Sequence, residues 1–288
     1  MMRITSDWHI HTSHSCDSAS LPMADIPRAA SRHGFIAYGV TDHIHTPFNL
    51  PDLVASRAAW EAQAPAPNFH FGVEASSVSE WELQQLADGL AEPATYGLRS
   101  GGPPAAAPAL GLTERDIAEL HIEYVVAGTH WPLYVPLERD EIIRDYHRQN
   151  MFLVTHPLVD IVAHPWWWHG HWQDADGMFS TDPWFDDFDR IPASMHDEFA
   201  AAAIAHGTAV EANLEAVVLN RAYPEAFRRR YVDYLADLHS RGVTLSLGSD
   251  CHSPTYDIRL EEAAARLEAA GLDQVQWWCL PDRTDSQE

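Results

Sequence analysis

The stretch RITSDWHIHTSHSCDS, residues 3–18, begins as an extended segment and ends in a cluster of histidines and acids. Residues 3–9 predict a β-strand, and His9 and His11, two positions apart, lie on one face of an extended chain. His14 and Asp17 follow closely. Imidazoles and carboxylates gathered in this way favour a metal site over a place in the hydrophobic core.

Further along the chain, short apolar segments of the same kind recur with helical patterns between several of them. The other predicted strands cover residues 36–42, 69–75, 122–129, 158–164, 207–213 and 243–250. Most are continuous β-branched or apolar runs, as in parallel strands buried on both faces. The helical patterns at 23–34 and 224–242 end in a glycine suited to a helix C-terminus. The alternation predicts an α/β fold with a parallel sheet, open or closed into a barrel.

Each predicted strand carries a metal-competent side chain at or just after its C-terminal end. These side chains are His9, His11, Asp42, His43, Glu74, His130, His164, Glu211, Asn213, Asp250 and His252. In a parallel barrel these strand ends meet on one rim, where active sites lie. One such histidine is more often structural, but a set spanning seven strand ends favours a metal site. Without thiolates, the set suits zinc, manganese or iron in an open site.

Composition limits the partners that such a site can have. The 288 residues carry a formal net charge of −24, from 42 acids and 18 bases, all of them arginine. This charge repels polyanions, so we expect no nucleic-acid partner. Three scattered cysteines indicate a reducing compartment. The chain start lacks signal-peptide features, and no run reaches the about 20 apolar residues of a membrane span, so we expect a cytoplasmic protein without a membrane partner.

The sequence shows no internal repeat and no linker with a shift in composition. We therefore expect a single domain over residues 1–288. Two segments interrupt the alternation of strands and helices. The stretch near 90–112 is rich in proline, glycine and alanine and is predicted to be a long flexible insertion. The stretch near 166–188 is a loop rich in tryptophan and acidic residues.

The ordered motifs resemble those of the polymerase and histidinol phosphatase (PHP) superfamily, and most closely its histidinol-phosphate phosphatases. The matching motifs are DWHIHTSHSCD, VTDH, GVEA, GTHW, AHP and GSDCHSP, in family order across residues 7–254. The resemblance implies a distorted (β/α)7 barrel, similar to a TIM barrel, with up to three divalent metals per chain. It implies one metal on His9, His11, Glu74 and Asp250, a second on Glu74, His130 and His164, and a third on Asp17, His43 and His252. His14 lies close enough to compete with Asp17.

The function that this resemblance implies is hydrolysis of a phosphoric ester of a small metabolite by a metal-bridging hydroxide. Asp250 is the predicted general base, and His252 or His43 is predicted to assist the leaving group. Asn213 and Arg221, which precedes Tyr223 and Pro224, resemble the substrate-binding residues of histidinol phosphatases. A surface arginine opening a helix is an equally good interpretation of Arg221.

The tryptophan-rich segment departs from a histidinol phosphatase and leaves the substrate open. Trp166 to Trp168 directly follow the strand end at His164, so Trp166 and His169 are predicted to wall a pocket. A loop packed on the barrel is the alternative. Arg99, in the insertion, is a weaker candidate for a phosphate contact.

Two other functions are compatible with the same residues. One is hydrolysis of C–N or C–O bonds by an amidohydrolase-type barrel, and the other is a metal-binding module without catalysis. The DNA-processing role of polymerase-attached family members is disfavoured by the acidic composition. The sequence leaves the oligomeric state open.

Overall fold

The computed structural model describes residues 2–167 and 188–281. Positions 168–187, which include His169 and most of the tryptophan-rich loop, lie outside the described residues. Within the described ranges the strands are β1 (Ser6–Asp7), β2 (Ala37–Val40), β3 (His43–Ile44), β4 (Phe69–Ser79), β5 (Pro108–Leu110), β6 (Tyr124–Gly128), β7 (Ile161–Ala163), β8 (Ala209–Asn213) and β9 (Leu245–Gly248). The helices are α1 (Ile26–His33), α2 (Leu50–Glu61), α3 (Glu80–Ala87), α4 (Glu114–Leu120), α5 (Arg139–Thr155), α6 (Ala193–His206), α7 (Glu225–Ser240) and α8 (Leu260–Ala269).

Seven of these strands form a nearly closed parallel barrel, in the order β1-β2-β4-β6-β7-β8-β9. Contacts between the chain after β1 and the region of β9 link the two ends of the sheet. The Trp8 amide donates to the Leu247 carbonyl at 2.9 Å, and Ile10 pairs in parallel with Cys251. The prediction of a distorted, TIM-like α/β barrel with seven strands is confirmed.

β4 continues past the barrel and carries two further pairings. β3 lies parallel to it, with His43 opposite Glu74. β5 lies antiparallel to its last residues. Because β5 belongs to the segment predicted as a flexible insertion, part of that segment is an ordered strand that pairs with β4, in addition to β2, β3 and β6. No alternating pattern of hydrophobic and polar residues predicts this short strand.

Large aromatic side chains fill the N-terminal half of the barrel. Trp8 and Tyr124 are almost fully buried, with ring centres 5.3 Å apart, and Trp278 packs edge-on against Trp8 at 5.0 Å. Tyr124 lies over two strand glycines, since a Cβ added at Gly39 or Gly72 would come within 2.1 or 2.5 Å of it. This apolar filling leaves the polar groups to the opposite, C-terminal rim.

The helices surround the barrel and place apolar faces against it. In α7 the buried Phe227, Tyr231 and Leu235 follow a spacing of four residues, which puts them on one helix face. Both helices predicted to end at glycine do so, with Gly34 and Gly242 at positive φ. Over the ranges 2–167 and 188–281, no helix combines the length and hydropathy of a membrane span.

Candidate metal centre

The structure brings all nine predicted metal ligands together at the C-terminal rim. Six are buried: His9, His11, His43, Glu74, His130 and His164. The other three are partly exposed: Asp17, Asp250 and His252. Most of the nine line one cavity of about 580 Å³. Residues from the first to the last strand of the barrel therefore meet at a single place.

Glu74 lies at the centre of this cluster, and its two oxygens face different histidines. Oε2 is 3.0 Å from His9 Nε2 and 3.2 Å from His11 Nε2. Oε1 is 3.0 Å from His130 Nε2 and 3.1 Å from His164 Nε2. This division is the arrangement that a carboxylate bridging two metals requires.

The first group of ligand atoms has the spacing of a metal coordination sphere. His9 Nε2 and His11 Nε2 are 2.9 Å apart, and Asp250 Oδ1 lies 3.5 and 3.2 Å from them. Ligand atoms held tetrahedrally at about 2.1 Å from an ion lie about 3.4 Å from one another. His9, His11, Glu74 and Asp250 thus surround a space of the right size for one ion.

The third predicted group is also assembled. His252 Nε2 is 2.7 Å from Asp17 Oδ2, and His43 Nε2 is 3.6 Å from the same oxygen. His11, His43 and His252 form a further set of close ligand atoms. Asp17 thus lies beside these histidines, whereas His14 is not among the described residues that line the cavity.

Orphaned polar atoms show that the cluster fits metal ions. Glu74 Oε2 and His43 Nδ1 are 3.0 Å apart and buried, yet neither has a hydrogen-bond partner among the described residues. Buried polar atoms without a partner are costly in free energy. Cations bound to these two atoms would remove that cost, so the donor set suits divalent metals.

Charges inside the cluster favour a cation as well. Burial alone would raise the pKa of Glu74, but the surrounding imidazoles hold that pKa well below its usual value. The same opposition between burial and imidazoles holds the pKa of Asp250 well below normal. Burial lowers the pKa of His252, but Asp17 and Asp250 overcome this and raise it to about 9. The carboxylates therefore stay ionised and attract positive charge.

Two of the ligand candidates have unusual backbone conformations. His164 and Asp250, each directly beyond or near a strand end, have φ values of +27° and +59°. Non-glycine residues in this region carry a strain of about 1–3 kcal/mol and are concentrated at functional sites. Both residues lie just beyond a strand end, and their side chains lie close to Glu74.

Other polar residues contact the proposed ligands on the side away from the cluster and orient them. Glu211 Oε1 lies 2.7 Å from His9 Nδ1, and its Oε2 accepts from the His164 amide at 2.8 Å. Ser76 Oγ lies 2.8 Å from His130 Nδ1. Such partners fix the orientation and tautomer of a ligand histidine. Glu211 was noted at a strand end in the sequence, whereas nothing in the sequence identified Ser76.

The predicted substrate residues occupy different environments. Asn213 Nδ2 donates to Glu211 Oε2 and to Asp250 Oδ2, both at 3.0 Å. The Asn213 amide therefore contacts the proposed ligand Asp250 and is not among the described residues that line the cavity. Trp166 is buried in the core beside His196, and its neighbour Trp167 lines the cavity instead. Arg221 is exposed and outside the described cavity wall, so its role stays a prediction. His169 lies outside the described residues.

The cavity wall contains residues that the sequence analysis missed or ranked low. These are His45, Tyr96, Arg99, Trp131, Trp167, Glu215 and Asn220. Tyr96 and Arg99 come from the insertion, while Glu215 and Asn220 follow β8. Burial, followed by the nearby Asp250, raises the pKa of Glu215 to about 7. Trp131 belongs to the GTHW motif and Trp167 to the tryptophan-rich segment, whereas only their position in the fold identifies Tyr96, Glu215 and Asn220.

Comparison with known proteins places this geometry on a known fold. No protein-family model matches the sequence, and no curated protein matches it. Among solved structures, the chain is similar to histidinol phosphate phosphatase from Lactococcus lactis subsp. lactis, crystallised with zinc, L-histidinol and phosphate. The two share 17% identity over 93% of this chain and 94% of that one, with a TM-score of 0.58. The predicted resemblance to histidinol phosphatases is thus confirmed as a likeness in fold.

Two other solved structures have a TM-score of 0.40. One is an apo protein of Agrobacterium tumefaciens, which is 13% identical over an alignment that covers 95% of this chain and 93% of that one. The other is ochratoxinase of A. niger, which is 12% identical over an alignment that covers 94% of this chain and 67% of that one.

Proposed function

We propose that the protein is a metal-dependent phosphomonoesterase that hydrolyses a small phosphorylated metabolite. The observation that carries this proposal is the convergence of imidazoles and carboxylates on Glu74, whose two oxygens face different histidines. Support comes from the fold, which is shared with a histidinol phosphate phosphatase crystallised with zinc and phosphate.

Divalent metals such as zinc, manganese or iron would supply a water of lowered pKa and positive charge for the phosphoryl oxygens. The proposed ligands are His9, His11, Glu74 and Asp250 for one ion, Glu74, His130 and His164 for a second, and Asp17, His43 and His252 for a third. Three cations would offset the three carboxylates of the cluster and leave it attractive to a phosphate.

Asp250 is the proposed general base. Its Oδ2 accepts a hydrogen bond from Asn213 Nδ2 at 3.0 Å, which fixes the plane of the carboxylate. A general base must lie within hydrogen-bond reach of the proton that it removes, and Asp250 lines the cavity in which substrate would sit. His43 and His252 line the same cavity and remain the candidates to assist the leaving oxygen.

The test is release of inorganic phosphate from para-nitrophenyl phosphate and other small monoesters by protein loaded with manganese or zinc. The activity of the Glu74→Ala variant is expected to fall more than about a hundredfold. Replacing a residue that only hydrogen-bonds to a metal ligand already lowers metal affinity or activity by about 10–100-fold, and Glu74 is a proposed ligand itself. Full activity in this variant would exclude a bridging role for Glu74.

Glu123→Ala is the matched control. Glu123 also accepts hydrogen bonds from a histidine ring and a backbone amide, but it lies with Trp8 at the opposite end of the barrel. This variant is expected to keep wild-type activity. A parallel assay for release of ammonia or carboxylate tests the alternative C–N or C–O hydrolysis.

A further inference from the structure

Arg99 is the only arginine among the described residues that line the cavity. It comes from the insertion, and the rest of the described wall consists of histidines, acids, aromatic residues and small or neutral polar residues. An arginine with donors free to face a ligand is suited to carboxylate and phosphate groups, because its planar fork matches their geometry.

The guanidinium of Arg99 is held in a fixed position. Its central carbon lies 3.6 Å from the centre of the Trp131 ring, a close cation–π contact. Its Nη2 lies 3.1 and 3.2 Å from the two oxygens of Glu82, a fully buried carboxylate. Glu82 also accepts from the Leu98 amide at 2.5 Å, so the backbone of the insertion is tied to the same group.

Gly97 is required for this arrangement. Its φ of +68° is the left-handed region, and a Cβ at this position would lie 1.8 Å from Glu82 Oε1. Tyr134 Oη donates to the Leu98 carbonyl at 2.9 Å from the other side. The turn that carries Arg99 is therefore specified by the sequence around it.

Part of the guanidinium remains available. A guanidinium has five N–H donors, and only Nη2 of Arg99 has partners in the described ranges. The N–H groups of Nε and Nη1 are left. Since the side chain lines the cavity, these groups can donate to a bound ligand.

Arg99 is separated from the proposed metal ligands by the side chains of Trp131 and His45. Trp131, on which it stacks, has its ring centre 5.3 Å from that of His45, and His45 is 4.8 Å from His43. A phosphate on the metal cluster would thus leave Arg99 facing the other end of the substrate.

We propose that Arg99, supported by Trp131, binds an anionic group on the leaving-group side of the substrate, either a carboxylate or a second phosphate. This inference rests on the proposed phosphomonoesterase function, and it deepens it by defining a class of substrate. Charge-assisted hydrogen bonds from the free N–H groups, with the indole beneath the guanidinium, provide the recognition.

The experiment compares substrate pairs that differ only in the second anion. For the carboxylate, the pair is 3-phosphoglycerate and glycerol 3-phosphate; for the phosphate, it is fructose 1,6-bisphosphate and fructose 6-phosphate. Wild-type protein loaded with manganese is expected to prefer the doubly anionic member of one pair by about ten- to a hundredfold in kcat/KM. The pair that shows the preference identifies the anion.

In Arg99→Met this preference should disappear through a rise in KM, while turnover of para-nitrophenyl phosphate is kept. Arg148→Met is the matched control, since Arg148 bonds the Ala106 carbonyl of the same insertion without lining the described cavity. If Arg99 only anchored the insertion, both variants would lower activity on every substrate alike, which would overturn the proposal. The double variant Glu82→Gln/Arg99→Met removes the buried charge that Arg99→Met leaves unpaired, and it should show the same selective loss.

Failure of the proposed function gives a different result. If no monoester is hydrolysed, calorimetric binding of the members of both pairs to the metal-loaded protein still measures the contribution of Arg99. Tighter binding of the doubly anionic compound of one pair, lost in Arg99→Met, would support recognition without hydrolysis. Equal binding or turnover within both pairs in the wild type would overturn the role of Arg99, whatever the activity on para-nitrophenyl phosphate.

Discussion

Single residues that contact the proposed metal ligands hold those ligands in their orientation. Glu211 is the clearest case, because one of its oxygens holds the ring of His9 and the other holds the backbone of His164. Gly248 makes room for it, since a Cβ there would lie 1.9 Å from Glu211 Oε1. The carboxylate is thus enclosed by the strands that it connects.

We predict that Glu211→Gln weakens metal binding about 10–100-fold without unfolding the protein. The amide cannot accept at both positions, so His9 or the His164 amide loses its partner. A competition titration against a chelating dye measures the affinity. Glu123→Gln, at the opposite end of the barrel, should leave that affinity unchanged, and an unchanged affinity in Glu211→Gln would contradict the orienting role.

Gly128 leaves room for the second predicted metal group. A Cβ at this position would lie 2.6 Å from the His164 ring and 3.2 Å from both Glu74 Oε1 and the His130 ring. We predict that Gly128→Ala displaces these histidines and removes about one metal ion per chain, as measured by elemental analysis.

Gly72→Ala is the control for Gly128→Ala. It also inserts a Cβ into the barrel, but against Tyr124 at the apolar end, 2.5 Å from its ring. This variant should lower thermal stability and keep the metal content of the wild type. Equal metal loss in both variants would indicate a general disturbance of the barrel instead of a local one.

At the scale of elements, the sequence predicted all seven barrel strands but extended several of them too far. The predicted strands at 158–164 and 243–250 reach His164 and Asp250, whereas β7 ends at Ala163 and β9 at Gly248. His164 and Asp250 lie just beyond these ends and have positive φ, which no hydrophobic pattern can reveal. The proposed metal ligands are thus themselves exceptions to the strand pattern from which they were predicted.

The insertion near 90–112 is more ordered than its composition predicted. Its proline, glycine and alanine content indicated flexibility, but β5 pairs with β4, and Asn49 Nδ2 donates to the Thr95 carbonyl at 3.1 Å. These contacts join positions far apart in the sequence, so composition alone could not predict them. Tyr96 and Arg99 therefore reach the cavity through tertiary contacts.

α6 contains a partly buried histidine, His196, that is predicted to make stability depend on pH. His196 stacks on Phe188 and lies beside Tyr234, and its Nδ1 has no partner among the described residues. Burial, and then the charge of Arg241, lowers the pKa of His196 to about 4 from an ordinary value of 6.5. His196 is therefore protonated below about pH 6.5 in the unfolded chain, but only below about pH 4 in the folded protein.

Stability should accordingly fall as the pH drops from 6.5 toward 4, by about 1 kcal/mol at pH 5.5. His196→Gln is predicted to remove this part of the loss in urea unfolding experiments at pH 7.5 and 5.5. His206→Gln, on the same helix but exposed, should retain it. A wild-type pH dependence in His196→Gln would show that other groups cause the loss.

For the whole molecule, the barrel separates apolar from ionisable groups along its axis. The aromatic filling around Trp8 and Tyr124 occupies one end, and the cluster around Glu74 occupies the other. The chain as a whole carries a formal net charge of −24. Bound cations would reduce the repulsion among the carboxylates of the rim, so metal binding and folding should be coupled.

We predict that a chelator lowers the melting temperature of the metal-loaded protein and that zinc or manganese restores it. An ion at 100 times its Kd stabilises the folded state by about 2.7 kcal/mol, which corresponds to several degrees for a chain of this size. Differential scanning fluorimetry measures the shift. The stabilisation should decline as the pH falls, because protons compete with metals for the ligand imidazoles.

Screening of the acidic surface by any divalent cation is the effect to separate from specific binding. Calcium prefers oxygen ligands, so it should restore little of the lost stability at a concentration where zinc restores all of it. In Glu74→Ala the bridging carboxylate is absent, and the chelator should then have a much smaller effect. A melting temperature that responds equally to calcium and zinc, or equally in wild type and Glu74→Ala, would mean that the nine side chains do not form a metal centre.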